Sequence, residues 1–239
     1  MSDSYEPGRG PNRETLISVA RVIEPLLEKI VFVGGQVAEL LITDPAAVRV
    51  RPTKDVDVVV RTTTRVQYYE IEKQLEGLGL RHDTSEDAPV CRWVTTGGYK
   101  LDVMPIDGSI LGFSSRWYPT AVASATQYRL TEEFTIHIPS APAFIATKWD
   151  AFRDRGDGDL LRSHDIEDVI AVVAGREELV VEMSDADADL RNWFAQAAKE
   201  FLDDPQSDYA ISGALPDAAL LPGLLDLVRA RFEGLAQRR

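Results

Sequence analysis

From Arg13 onward the apolar residues Leu16, Val19, Ile23, Leu26, Leu27 and Ile30 recur at three- and four-residue steps, the spacing of one helix face. Pro25 has no amide hydrogen and its ring crowds the preceding turn, so it predicts a kink or break in that helix. Ile30-Val31-Phe32-Val33 is a short apolar run ending at Gly34-Gly35, the pattern of a buried strand that stops at a sharp turn. A short helix through Val37, Leu40 and Leu41 follows, closed by Asp44-Pro45. Asp55 to Val60 alternates at first and then turns wholly apolar, which predicts a strand with one end in a site and the rest in the core.

Val66 to Leu78 has helical spacing through Tyr69, Ile71, Leu75 and Leu78, ended by Gly77 and Gly79. Val90 to Thr96 and Tyr99 to Met104 are β-rich runs separated by Gly97-Gly98, a hairpin signal. After an irregular stretch holding Trp117, Tyr118 and Pro119, Phe134 to Pro139 predicts a last strand. From Ala141 the pattern is helical, over about 141–155, 164–175, 185–203 and 217–234. Glycine-rich Arg155 to Asp159 and loops with Pro205 and Pro216 divide these helices. The fold class expected is α+β: a mixed-sheet core over 13–140 followed by a helical C-terminal domain over 141–239, with the polar, Gly/Pro-rich residues 1–12 as a disordered leader.

The 239 residues carry 26 Lys+Arg against 39 Asp+Glu, a formal net charge of −13, which argues against binding nucleic acid or anionic membrane through bulk charge. Most of that excess lies beyond residue 120, where 12 basic residues face 22 acidic ones. The stretch 48–65, by contrast, holds Arg49, Arg51, Lys54, Arg61 and Arg65 against only Asp55 and Asp57, a local positive island. No run of about 18 apolar residues is present and the N-terminus is polar, so a soluble, cytoplasmic protein with no membrane partner is expected. The single cysteine, Cys91, excludes an internal disulfide and any cysteine-cluster metal site.

Candidate chemistry rests on acidic residues. Asp55 and Asp57 stand two apart on one predicted strand, so both point to the same face and can converge on one hard cation. Asp102 sits on another predicted strand among apolar Leu101, Val103 and Met104. Placing carboxylates side by side in the interior costs several kcal/mol, so the set implies a cation or a solvated strand end. Three carboxylates with no nearby cysteine suit Mg²⁺. Surface aspartates on an amphipathic strand are the plainer explanation of D-x-D alone. The P-loop, G-x-G-x-x-G, G-x-S-x-G and H-E-x-x-H motifs are absent, and His82, His137 and His164 are scattered.

Strand, Gly-Gly, helix, then D-x-D on a strand and a third Asp on a later one resembles the DNA polymerase beta-like nucleotidyltransferase superfamily. The residues that carry this are V-G-G-Q-V-A-E-L-L, P-T-K-D-V-D-V-V-V and K-L-D-V. A-T-K-W-D-A-F-R-D-R-G and S-H-D-I-E-D-V resemble later motifs of its AbiEii-type branch, so the likeness covers about Val31 to Gly175. It implies that Gly34 and Gly35 let backbone amides approach nucleotide phosphates, and that Asp55 and Asp57 hold Mg²⁺ against the triphosphate. Asp102 would complete a two-metal site and draw a proton from the attacking hydroxyl. Lys148 would contact phosphate, and Asp165, with Asp168 one turn later, would support nucleotide binding or catalysis. Thr53 matches a hydroxyl position that some toxins of this branch use as an inactivating phosphorylation site. The insert Thr43 to Arg51 lengthens the segment between Gly35 and Asp55 beyond the usual spacing and carries part of the positive island.

The activity so implied is Mg²⁺-dependent transfer of a nucleoside monophosphate from an NTP to a hydroxyl acceptor. The role implied is toxin of a bacterial toxin–antitoxin or phage-defence module, with tRNA or other RNA as acceptor and a cognate antitoxin as protein partner. A small-molecule acceptor, as in antibiotic-modifying relatives, and a catalytically silent nucleotide-binding or interaction protein are the alternatives.

Overall fold

The computed structural model describes residues 11–44, 50–155, 158–215 and 223–237. The chain is mixed α+β and forms two compact units, one drawing on residues up to Val37 and on Pro52–Ser140, the other on Ala38–Arg51 and on the chain from Ala141 onward.

The first unit opens with helix α1 (Pro11–Val22), so Pro11 and Asn12 are helical rather than part of a leader. Asn12 is buried and its Oδ1 accepts the Thr53 N–H at 2.9 Å. Pro25 does interrupt the helix: a 3₁₀ segment, Glu24–Lys29, replaces it and delivers the chain to strand β1 (Ile30–Phe32). All three β1 residues are buried, which is why the run is apolar throughout. Strands β2 (Asp55–Val60), β3 (Arg81–His82), β4 (Arg92–Val94) and β5 (Lys100–Pro105) complete a five-stranded sheet of order β1-β2-β5-β4-β3. β2 and β5 run parallel, and the other neighbours are antiparallel. Helix α3 (Arg65–Gly77) lies in the crossover from β2 to the rest of the sheet. It starts where the Thr64 hydroxyl accepts the Gln67 N–H, and the chain leaves it through Gly79 at φ +86°, a backbone state that favours glycine. The hairpin β4–β5 turns at Gly98, φ +81°, with the Thr95 N–H donating to Tyr99 O at 2.9 Å.

Two elements of this unit escape the hydrophobic pattern. Helix α4 (Tyr118–Ala123) places Pro119 in its first turn, where the missing N–H is harmless, so the proline opens a helix instead of breaking one. Strand β6 (Thr126–Arg129) is largely exposed and lacks apolar alternation. The predicted last strand, β7 (Thr135–Ile138), pairs with β6 in a separate two-stranded ribbon rather than joining the main sheet.

In the second unit, helix α2 (Ala38–Leu41) and the following loop belong with helices α5 (Ala141–Asp154), α6 (His164–Gly175), α7 (Leu179–Ser184), α8 (Ala188–Asp203), α9 (Ser207–Ala214) and α10 (Leu224–Leu235). The N–H groups of Thr43 and Asp44 both donate to Gly175 O at 2.9 Å. A Cβ on Gly175 would come within 2.8 Å of the Ile42 side chain, so this helix end needs glycine for the close approach. An aromatic cluster fills the unit's centre: Trp149 meets Phe194 and Phe201 edge-on at 5.8 Å, and Phe201 lies 4.5 Å from Phe232. The expected helix over 185–203 is observed as α8, whereas α7 and α9 have no counterpart in the reading of the sequence. α7 buries only Leu179 and Met183, too few positions to show a period. Part of the expected helix 217–234 and part of the Arg155 to Asp159 loop lie outside the described residues. Among the described residues, no helix is long and apolar enough to cross a membrane.

Truncating Phe201 to alanine empties the middle of the aromatic cluster. Urea denaturation followed by tryptophan fluorescence should show a loss of about 3–5 kcal/mol in unfolding free energy.

Candidate metal and nucleotide site

The register of the parallel pair decides the geometry of the first unit's acidic set. Asp57 stands opposite Asp102, and Asp55 lies two residues before Asp57, so all three carboxylates occupy one face of the sheet. On the other face Val56, Val58, Leu101 and Val103 are at most 2% exposed. That apolar face fixes the register, because a slip of one residue would put valines in the site and aspartates in the core.

The hairpin adds a fourth group. β4 places Arg92 opposite Asp102, hence on the same face. The Arg92 Nε and Nη2 donate to the two oxygens of Asp102, each at 2.7 Å, and Nη2 donates also to Asp55 Oδ2 at 2.8 Å. The fork on Asp102 is the strong, bidentate kind of charge-assisted pair. It raises the guanidinium's proton affinity, the Asp102 hydrogen bonds being the main cause. The neighbouring Cys91 thiol is pushed up to about 12, first by burial and then by the Asp102 and Asp57 carboxylates, so it is a neutral packing group.

Gly34 has a steric reason to be glycine that the sequence alone does not reveal. A Cβ there would stand 2.1 Å from Asp57 Oδ2 and 2.8 Å from its Cβ and Cγ, so the carboxylate lies directly against the Gly34 backbone. The Val33 N–H donates to Asp57 O at 2.9 Å and ties the two together. Gly35 begins a single 3₁₀ turn through Val37 that leads into α2. Gln36 in that turn is buried, and its Nε2 donates to Asp55 O at 3.0 Å. The Thr53 hydroxyl points to the same carbonyl, at 3.4 Å.

Asp55, Asp57 and Asp102 are hard oxygen donors on adjacent strands, the donor set that Mg²⁺ takes, and Asp55 and Asp102 already hold a cation, the guanidinium. As they stand, the described residues contain no group of three His, Cys, Asp or Glu side chains disposed to hold a metal ion.

The second unit gathers the remaining predicted residues. Lys148 on α5 lies between two carboxylates of α6, with Nζ 3.3 Å from Asp165 Oδ1 and 2.7 Å from Asp168 Oδ2. Asp165 and Asp168 are 3% and 1% exposed, so their charges need these partners. Arg155 Nη1 reaches Asp165 Oδ2 at 3.0 Å, and Arg51 Nε lies 3.3 Å from Glu167 and 3.9 Å from Asp168. Asp165 and Glu167 also sit in the first turn of α6, where negative charge is favoured. His164 is exposed, with Nδ1 2.9 Å from Glu167, and His137 is buried, with Nδ1 3.3 Å from the Leu27 carbonyl.

The positive island is partly neutralised within the protein. Arg51 has its acidic partners, Arg65 donates to Ile110 O at 2.8 Å, and Arg49 lies outside the described residues.

Arg92 is the site residue that motif reading passes over. The hairpin was visible in Gly97-Gly98, but its register was not: the observed pairing is centred on Gly97, which sets Arg92 opposite Asp102. No protein-family model matches this chain, and no curated protein does either.

Two outcomes follow from these contacts. Asp168→Asn leaves Lys148 and Arg51 short of a buried counter-charge and should lower the unfolding free energy by about 3 kcal/mol in urea titration. Iodoacetamide at pH 8.5 should label Cys91 at least about 100-fold more slowly in the native protein than in urea, because the thiol must be exposed before it ionises.

Proposed function

We propose that the chain is a Mg²⁺-dependent nucleotidyltransferase that moves a nucleoside monophosphate from an NTP to a hydroxyl acceptor and releases pyrophosphate. The observation that carries this reading is the convergence of Asp55, Asp57 and Asp102 on one face of a parallel strand pair, with Gly34 packed against Asp57. Such a set offers hard oxygen donors to a divalent cation and contains no Ser, Cys or His nucleophile, which suits direct attack at phosphorus.

Asp55 and Asp57 would hold Mg²⁺, and Asp102 would complete the set. Bound there, Mg²⁺ would offset the negative charge of the triphosphate and of the leaving pyrophosphate. The Asp102 carboxylate accepts the proton of the acceptor hydroxyl as its oxygen bonds to the α-phosphorus and the α–β bridging bond breaks. Gly34, lacking a side chain, lets the Asp57 carboxylate lie against its backbone, and the resemblance supports contact of the Gly34-Gly35 amides with phosphate. For Lys148, Asp165, Asp168 and Thr53, resemblance to the AbiEii-type branch is the support for roles in phosphate contact, nucleotide binding and inactivation by phosphorylation. The same resemblance supports a toxin role, tRNA as acceptor and an antitoxin partner.

A small-molecule acceptor is the second reading. It is favoured by the engagement of Arg51 and Arg65 with groups of the protein itself, which leaves less of the island for a nucleic-acid backbone.

Incubation with each labelled NTP, Mg²⁺ and total RNA should transfer label, and Asp57→Asn should reduce transfer at least about 100-fold with an unchanged circular-dichroism spectrum. Absence of transfer with every NTP, together with absence of Mg²⁺-dependent nucleotide binding, would refute the enzyme reading. If RNA is the acceptor, its affinity should fall steeply as salt rises, whereas a salt-insensitive reaction assigns a small molecule.

A further inference from the structure

We propose that Arg92 is the protein's own competitor for the divalent cation, a guanidinium that occupies the place between Asp55 and Asp102 and must let go before Asp102 can serve as a metal ligand. The inference rests on the metal-binding part of the nucleotidyltransferase reading.

The hydrogen bonds define the competition. Both oxygens of Asp102 accept from Arg92, and Asp55 Oδ2 accepts from the same Nη2, so one planar cation spans two of the three carboxylates. Asp57 lies against Gly34. The three carboxylates are therefore unequal toward an incoming cation. Asp55, whose side chain is 38% exposed against 10% for Asp102, forms the accessible edge. Asp102 is held in reserve behind the guanidinium.

Charge gives the same ordering. Three carboxylates and one guanidinium sum to −2, which a single divalent ion cancels, so a second ion gains little until Arg92 moves or a triphosphate adds negative charge. Triphosphate oxygens are also good acceptors for a guanidinium fork, so the nucleotide offers Arg92 a new partner as it enters. Metal loading at Asp102 is in this way coupled to the arrival of substrate, and the resting protein keeps the acidic trio neutralised enough to fold without metal.

Lys100 supplies the control. It stands opposite Asp55 in the strand register and carries the same charge, but its Nζ reaches Asp83, at 3.9 Å. Metal-free full-length protein is titrated with Mn²⁺, and free ion is followed by electron paramagnetic resonance. Arg92→Gln should bind Mn²⁺ about tenfold or more tightly than the natural protein, since the competing cation is gone. Arg92→Lys keeps the charge but loses the fork, and should fall between the two. Lys100→Gln should stay within about twofold of the natural protein, which separates displacement from a general change in field. Melting curves with a chelator should show Arg92→Gln less stable than the natural protein and more strongly stabilised by Mn²⁺. Unchanged or weaker Mn²⁺ binding in both Arg92 variants, with the natural protein still binding, overturns the competition and leaves the metal reading standing. Equal tightening by Lys100→Gln overturns it as well. No Mn²⁺ binding by any of the proteins at millimolar concentration overturns both.

Discussion

Repulsion among like charges is the constraint around which the first unit is arranged. The parallel pairing of β2 with β5 brings Asp55, Asp57 and Asp102 to one sheet face, where like charges repel and burial weakens the solvent's screening of them. They cannot separate, because the valines and leucine on the opposite face fix the register. A cation must therefore be provided, and β4 provides one in Arg92. Core packing on one side of a strand thus forces charge chemistry on the other.

The second unit meets the same problem in a different element. Asp165 and Asp168 are buried on α6, and Lys148, Arg155 and Arg51 answer them from α5, from the loop after it and from the segment following α2. One feature separates the two sets. In the second unit the carboxylates are almost fully enclosed, whereas Asp55 in the first is partly open to solvent. Enclosure favours a lasting ion pair, while exposure at one edge leaves room for exchange with an outside ion.

Strands and helices with a clear period were legible in the sequence. Asp55-Val56-Asp57-Val58 announced its two faces, Pro25 its interruption and Gly97-Gly98 its hairpin. Elements too short or too exposed to repeat a pattern, such as β3, β6 and α7, were not. Helix α4 was missed too, since a proline reads alike as breaker and as opener until the first turn is known. The aspartates of the candidate site could be named, since their spacing alone aligns them. The pairing of Arg92 with Asp102 depends on hairpin register, and the contact of Gly34 with Asp57 depends on two strands meeting, which no local pattern records. The membership of residues 38–51 in the second unit was hidden for the same reason, as its partners lie about a hundred positions later.

That excursion of the chain has a consequence for biosynthesis. Thr43, Asp44 and Arg51 make their contacts with Gly175, Glu167 and Asp168, so this segment leaves the ribosome well before its partners exist. At translation rates of about 5–20 residues per second, the wait is on the order of ten seconds. During that interval Thr43, Asp44 and Arg51 lack the α6 groups that they meet in the finished protein. The second unit therefore joins pieces of chain that leave the ribosome on the order of a hundred residues apart.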